Sequence, residues 1–326
     1  MNIETDTHFI SCDWGTSRLR LRLADRRSLE VIGEVASENG IASVYASFKN
    51  NPGPGERVDY YAEALQNPIE ALGRHTGKAM EGLPVICSGM ASSSLGISEL
   101  PYSDLPFNLD GSNARMARFF PKLLANPLYL ISGVKSERDV MRGEETELTG
   151  LHMQLAKPPE KYFTIVPGTH SKHILVSRNQ IHGFKTFMTG ELFNVLCSSS
   201  TLGHSVDTSD EIEGPAFFNG LDQGSRSCLS QTLFQVRVNE LLGAMDKRQN
   251  YNFLSGLLIG AELATLTETS GVPLILFGNT RLIPLYKAAM GHLGLDKQLM
   301  ELPDRVCNMA VLKGQTEIFN KLKSTL

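Results

Sequence analysis

The chain has 326 residues, a formal net charge of -4, 41% hydrophobic residues and 20% charged residues. That is ordinary usage for a soluble globular enzyme, and the length predicts two domains rather than one core. The mild acidity gives nucleic acid and anionic membranes no footing, and no apolar run approaches the roughly 18 residues of a membrane span.

The polar start, with Glu4 and Asp6, predicts neither a signal nor a transit peptide. Residues 9–12 are apolar and predict a strand that runs into Asp13-Trp14-Gly15-Thr16-Ser17-Arg18. Leu19, Leu21 and Leu23 then alternate with Arg18, Arg20 and Arg22, the period of a half-buried strand. A helix is expected around 60–72. Residues 83–87 read as a buried strand ending in Ser88-Gly89-Met90, and 128–131 as another ending in Ser132-Gly133. The segment 140–154 reads as a helix with Glu144, Glu145 and Glu147 in its early turns, where the macrodipole favours acids. Ala156-Lys157-Pro158-Pro159-Glu160-Lys161 breaks the pattern and predicts a boundary between domains 1–156 and 161–326.

The second half repeats the scheme. An apolar run, 162–166, leads into Pro167-Gly168-Thr169-His170-Ser171-Lys172 and a hairpin extending to 188. A helix is predicted to open at Thr189-Gly190-Glu191, followed by helix-rich sequence to about 268 and an apolar strand, 273–277, ending in Gly278-Asn279-Thr280. Strand–helix alternation predicts an α/β fold, whose ligands bind beyond the strand C-termini. Glycines 15, 89, 133, 168 and 278 would then border one crevice.

The doubled signature carries the chemistry. In both copies a strand enters a tight Gly-Thr turn and leaves as another strand. Glycine allows close approach of the backbone to an anion, and N–H groups with Thr or Ser hydroxyls can cradle phosphate oxygens. One such turn per half predicts two lobes closing on a polyphosphate. Asp13, a carboxylate at a strand end beside those amides, suits Mg²⁺ directly or through water; the competing reading makes it a turn residue bonding nearby amides. Lys172 reads either as a phosphate-neutralising cation or as a solvated strand residue. His170 and His173 lack metal-ligand spacing and read as pocket lining. Gly73-Arg74-His75-Thr76-Gly77-Lys78-Ala79 has a passing likeness to a Walker A loop, but the spacing is one residue short and no strand precedes it. Five cysteines, at 12, 87, 197, 228 and 307, are odd in number and lack C-x-x-C spacing, which predicts reduced thiols, mostly in the core, in a cytoplasmic protein.

Over nearly its whole length the chain resembles the 2-dehydro-3-deoxygalactonokinase family of the actin and sugar-kinase superfamily. The resemblance rests on the two Gly-Thr motifs, Ser88-Gly89-Met90, the run Asp139-Val140-Met141-Arg142-Gly143-Glu144-Glu145-Thr146, Phe187-Met188-Thr189-Gly190-Glu191-Leu192-Phe193, Phe253-Leu254-Ser255-Gly256-Leu257-Leu258-Ile259-Gly260 and Gly278-Asn279-Thr280. It implies two ribonuclease-H-like lobes around a central cleft, and transfer of the γ-phosphoryl of ATP to the 6-hydroxyl of 2-dehydro-3-deoxy-D-galactonate. Gly15, Thr16 and Ser17 would hold the β/γ-phosphates with Mg²⁺ on Asp13. Gly168, Thr169, Ser171 and Lys172 would act from the other lobe, and Gly278, Asn279 and Thr280 would hold adenosine. Glu144 or Glu145 would take the acceptor proton, with the resemblance favouring Glu144. Arg18 or Arg142 would pair with the sugar-acid carboxylate, beside Ser88, Gly89 and Met90. The chain departs from the family at Ser93-Ser94-Leu95-Gly96-Ile97, where a Ser-Arg-x-Gly-Trp run is usual, and at His173, where Trp is usual. A phosphohydrolase or a non-catalytic nucleotide-binding regulator of the same superfamily stays open, as does a homodimer.

Overall fold

The computed structural model describes residues 7–51, 55–208, 214–266, 269, 271–278 and 280–325. The chain forms two compact units, one comprising Met1–Pro158, Asn179–Gly183 and Asp304–Leu326, the other Pro159–Arg178 and Phe184–Pro303.

In the first unit β1 (His8–Trp14), β2 (Leu19–Asp25) and β3 (Val31–Ser37) form an antiparallel meander. After α1 (Ile41–Asn50) and α2 (Arg57–Thr76), β4 (Val85–Gly89) returns parallel to β1. Five short strands follow: β5 (Ser103–Asp104), β6 (Phe107–Asn108), β7 (Met116–Phe119), β8 (Leu128–Ile131) and β9 (Val134–Lys135). Then come β10 (Val140–Met141) and α3 (Glu144–His152), and the main sheet runs β3-β2-β1-β4-β8-β7. Alternation decides which way it faces. Ile10, Cys12 and Trp14 of β1 and Leu19, Leu21 and Leu23 of β2 point into a core shared with Tyr61, Leu65, Ile69 and Leu72 of α2. The opposite face carries Ser11, Asp13, Arg20 and Arg22.

The second unit repeats the plan. It contains β11 (Lys161–Val166), β12 (Ser171–Ser177), the part of β13 (Gln180–Phe187) from Phe184 on, α4 (Thr189–Ser199), α5 (Gly214–Arg226), α6 (Leu229–Thr232) and α7 (Gln235–Leu241). These are followed by α8 (Lys247–Leu263), β14 (Leu274–Leu276), α9 (Ile283–His292) and β15 (Leu299–Met300). Its strands run β15-β14-β11-β12-β13, with β11 antiparallel to β12 and parallel to β14. Each sheet thus has a hairpin on one side of its first strand and parallel strands on the other. An Asp246–Gln249 capping box starts α8, whose Ile259 and Leu263 join Ile165, Phe217, Leu274 and Tyr286 in the core.

Two sequence expectations meet a different structure. The helix expected over 140–154 is confined to α3, because Val140–Met141 pairs with β9 and Gly143 interrupts at φ +113. The linear division 1–156 and 161–326 differs from the units at two places. The start of β13 pairs with β6, Ile181 opposite Phe107, and α10 (Asp304–Leu322) packs on α3 in the first unit. The Walker-like run, rejected from its spacing, is the end of α2, closed by Gly77 in the left-handed conformation. Among the described residues no helix is long and apolar enough to cross a membrane.

The contact between α3 and α10 is backbone against backbone. A Cβ at Gly314 would lie 1.8 Å from the Thr146 carbonyl oxygen. Gly314→Ala is therefore expected to cost about 1–3 kcal/mol or more, the range for forcing atoms into a packed interior. Gly291→Ala, in a helix with open space around it, should be neutral or stabilising by up to about 1 kcal/mol. Denaturant unfolding of the two variants checks the contrast; equal midpoints would contradict it.

Candidate active site

The turn from Gly15 to Arg18 joins β1 to β2, with Trp14 opposite Leu19. Gly15 N–H closes it on the Arg18 carbonyl at 2.9 Å. The start of α1 takes its carbonyls: Ile41 N–H donates to Gly15 O and Ala42 N–H to Thr16 O, both at 3.0 Å. The approach is so close that a Cβ on Gly40 would lie 2.3 Å from Thr16 O. Thr16 and Ser17 are exposed, and among the described residues nothing accepts from their N–H groups. Those donors are what an anion requires.

Asp13 lies directly across from Arg20 on β2 and Ser88 on β4. Burial raises its pKa above the ordinary value, opposed by the charges of Arg20 and Arg22. Glu147 of α3 is held well above the ordinary range, first by burial and then by the charges of Asp13, Glu144 and Glu145. So Asp13 and the first turn of α3 form one electrostatic group. Within it Glu145 is 1% exposed, with one oxygen accepting Gly143 N–H and the other the Thr146 hydroxyl, both at 2.8 Å. Glu144 is half-buried and accepts Arg142 N–H at 3.0 Å. The two neighbours occupy different settings. Glu145 caps its own turn, whereas Glu144 keeps an exposed side.

The two arginines also separate. Arg18 has its side chain 65% exposed and paired with Glu38 at 3.1 Å. Arg142 is turned inward: Nη1 donates to Ser92 Oγ at 2.8 Å, Nη2 to Leu100 O at 3.3 Å, and the guanidinium lies over the Tyr102 ring at 4.1 Å. At the end of β4 the Ser88 hydroxyl accepts from Gln315 Nε2 at 2.9 Å, Gly89 adopts φ +81 and Met90 begins a short 3₁₀ turn. The departing run 93–97 is a tight turn, with Ile97 N–H on Ala91 O at 2.8 Å. Ile97 belongs to the core.

In the second unit the turn between Val166 and Lys172 is built alike. Glu191 N–H, at the start of α4, donates to Thr169 O at 3.0 Å, and a Cβ on Gly190 would lie 2.5 Å from Gly168 O. Thr169 is exposed, and no described residue accepts from its N–H. Gly168 N–H donates to Ser171 Oγ at 3.3 Å, so buried Ser171 shapes the turn from inside. Lys172 is neither solvated nor at the turn's surface: it is buried, with Nζ donating to His170 O at 3.0 Å. His170 is exposed and pairs with Glu191, while His173 lies in the interior rather than lining a pocket. Gly278 follows β14, and a Cβ there would stand 3.1 Å from the Val166 side chain, beside the strand entering the turn. Thr280 is exposed; Asn279 lies outside the described residues.

The sequence profile of the 2-keto-3-deoxy-galactonokinase family matches residues 13–314. The chain belongs to that family. A 2-dehydro-3-deoxygalactonokinase of Escherichia coli (strain K12) is 32% identical over 295 residues, covering 88% of this chain and 91% of its own. A Sinorhizobium meliloti protein crystallised as a candidate 2-dehydro-3-deoxygalactonokinase aligns with a TM-score of 0.78 at 27% identity, covering 97% of this chain and 99% of the other. The Clostridium difficile activator of 2-hydroxyisocaproyl-CoA dehydratase, with bound ADPNP, shares the fold at a TM-score of 0.51 and 13% identity over 98% and 96% of the two chains. The kinase family and the two-unit mixed α/β architecture of sugar kinases and actin-like ATPases both agree with the expectations from sequence.

Arg20, Arg22 and Glu147 are members of the Asp13 group that sequence reasoning did not single out as site residues. The signal was present, since the alternation that buries Leu19 and Leu21 puts Arg20 and Arg22 on the face of Asp13. The group also makes the kinase's stability depend on pH. Burial, reinforced by Glu144, raises the Glu145 pKa from 4.5 to about 7. The folded protein then keeps a proton that the unfolded chain releases near pH 4.5. Stability from this source is complete below that value and is lost as pH rises through about 7, by roughly 3 kcal/mol at 1.36 kcal/mol per unit. Glu145→Gln should flatten the decline between pH 5 and pH 8 by about 2 kcal/mol, whatever its effect at pH 5. Urea midpoints at the two pH values measure this, and parallel declines in variant and wild type would refute it.

Proposed function

We propose that this chain transfers the γ-phosphoryl group of ATP to the 6-hydroxyl of 2-dehydro-3-deoxy-D-galactonate, a step of galactonate catabolism. The family match over residues 13–314, spanning both Gly-Thr hairpins, carries this reading. Phosphoryl transfer needs positioned phosphates, charge neutralisation and an aligned acceptor hydroxyl. Thr16, Ser17 and Thr169 have exposed turn positions with N–H groups suited to phosphate oxygens, and Gly15 and Gly168 give the backbone that closeness. Lys172 acts through the His170 carbonyl and Ser171 from inside the turn. Gly278, Asn279 and Thr280 are assigned to adenosine.

Among the described residues no three His, Cys, Asp or Glu side chains are arranged to hold a metal by themselves. One carboxylate, Asp13, nevertheless suits Mg²⁺, which takes most of its ligands from phosphate oxygens and water. When bound, Mg²⁺ supplies charge neutralisation at the transferring phosphoryl. Glu144, with an exposed side, accepts the proton of the acceptor hydroxyl, whereas both Glu145 oxygens are already engaged. Arg18 and Arg142 are the two candidates for the sugar-acid carboxylate: Arg18 is exposed and paired with Glu38, and Arg142 holds Ser92 and Leu100 with its terminal nitrogens. Five free cysteines suit a reducing cytoplasm.

Screening 2-keto-3-deoxy sugar acids for ATP consumption tests the reading. Turnover that ignores the acid would favour a hydrolase, and no turnover with any acid would favour a regulator. Asp13→Asn should abolish turnover in a folded protein; activity within about threefold of wild type would remove Asp13 from the site. Glu144→Gln should lower kcat by roughly 10²-fold, the scale for a lost general base, with nucleotide affinity little changed. Such a loss in Glu145→Gln but not in Glu144→Gln would transfer the role to its neighbour.

A further inference from the structure

The interior of the second unit holds a polar network that no step of the reaction uses. Glu262 of α8 is 2% exposed, and three donors converge on its carboxylate. His173 Nε2, from β12, reaches one oxygen at 3.0 Å; the Tyr286 hydroxyl, from α9, reaches the other at 2.7 Å, where it is joined by the Thr189 hydroxyl from the start of α4. His173 is itself 3% exposed, and because a carboxylate only accepts, its Nε2 carries the ring proton. Burial, and then the charge of Glu262, holds the Tyr286 phenol well above its ordinary range, which keeps it a donor.

Two of these donors lead to the Gly168 turn by separate routes. Tyr286 OH lies 3.1 Å from Ser171 Oγ, the atom that accepts Gly168 N–H. Thr189 opens the helix whose Glu191 N–H holds Thr169 O and whose Gly190 lies against the Gly168 carbonyl. The carboxylate therefore fixes the turn from inside and the helix start on which the turn rests. A buried carboxylate is a poor way to gain stability, since an apolar side chain would fill the same space at lower cost. Its placement needs another reason.

We propose that Glu262 is a positioning residue for the nucleotide phosphates, holding the Gly168–Ser171 turn and the start of α4 in the arrangement that presents the Thr169 N–H to an anion. This rests on the kinase reading above. His173 serves as the third donor that completes the carboxylate's coordination.

The test uses the full-length protein and three near-isosteric variants: Glu262→Gln, Tyr286→Phe and Thr189→Val. Glu262→Gln should raise the KM for ATP and the Kd for a non-hydrolysable ATP analogue about 10–100-fold, the scale of losing hydrogen bonds to a charged group. kcat should stay within about threefold and the sugar-acid KM should not move. Tyr286→Phe and Thr189→Val each cut one route and should give a smaller shift of the same kind. A merely structural role would instead lower thermal stability without splitting the two KM values. If Glu262→Gln does not fold, the other two variants decide. ATP KM values within twofold of wild type in folded variants, or equal losses for both substrates, would overturn the inference. Wild type that binds no nucleotide would overturn the kinase reading and this inference with it, whereas wild type that binds ATP as its variants do would overturn this inference alone.

Discussion

A hairpin turn can offer its N–H groups to an anion only if its carbonyl oxygens are turned away and satisfied elsewhere. In both units that task falls to the first residues of a helix. Ile41 and Ala42 bind the carbonyls of Gly15 and Thr16, and Glu191 binds the carbonyl of Thr169. The helix must come within touching distance of the turn, which is why glycine stands at 40 and at 190. The same helix start brings its own positive end to that place, adding to the field an anion would feel. The ribonuclease-H-like sheet serves this junction: its central strand delivers the turn, and its hairpin partner fixes the turn's length.

The carboxylates are governed by a second constraint, which is crowding. Asp13 lies at the end of β1, while the first turn of α3 contributes Glu144, Glu145 and Glu147; burial pushes Asp13, Glu145 and Glu147 towards their protonated forms, joined at Glu145 and Glu147 by repulsion from neighbouring carboxylates. Arg20 and Arg22 relieve only part of this, and Arg22 also binds Glu34 and the Asn308 carbonyl. The division of labour between adjacent glutamates follows from helix geometry: Glu145 turns inward and caps Gly143, and Glu144 keeps its exposed side.

Much of this was legible in sequence because it depends on local periodicity. The leucine–arginine alternation in 18–23 specified strand, face and register together, and the doubled Gly-Thr turn located both hairpins. What periodicity could not show was contact between residues far apart in the chain. Helix 140–154 was overextended because Val140 and Met141 are apolar and near helical spacing, while their pairing with Val134 and Lys135 depends on a turn of the chain around Ser136 to Asp139. Lys172 read as a surface cation because its neighbours alternate, and it is buried because its amine finds a carbonyl two residues back. The Glu262 network was invisible for the same reason, since its members lie at 171, 173, 189, 262 and 286.

The return of α10 to the first unit shows how such long-range contact serves the site. Glycines at 150 and 314 let α3 and α10 approach until backbone meets backbone, and the next residue, Gln315, is fully buried. Its Nε2 donates to Cys12 O and to Ser88 Oγ, both at 2.9 Å. One amide thus ties together β1 just before Asp13 and β4 just before Gly89. The helix carrying Glu144 is locked to α10 by the glycine contact, and α10 is locked to the strand ends by Gln315. The distance from Asp13 to the α3 carboxylates is consequently set by a segment 300 residues away in sequence. That dependence makes the last helix part of the site's construction, although it contributes no group to the chemistry.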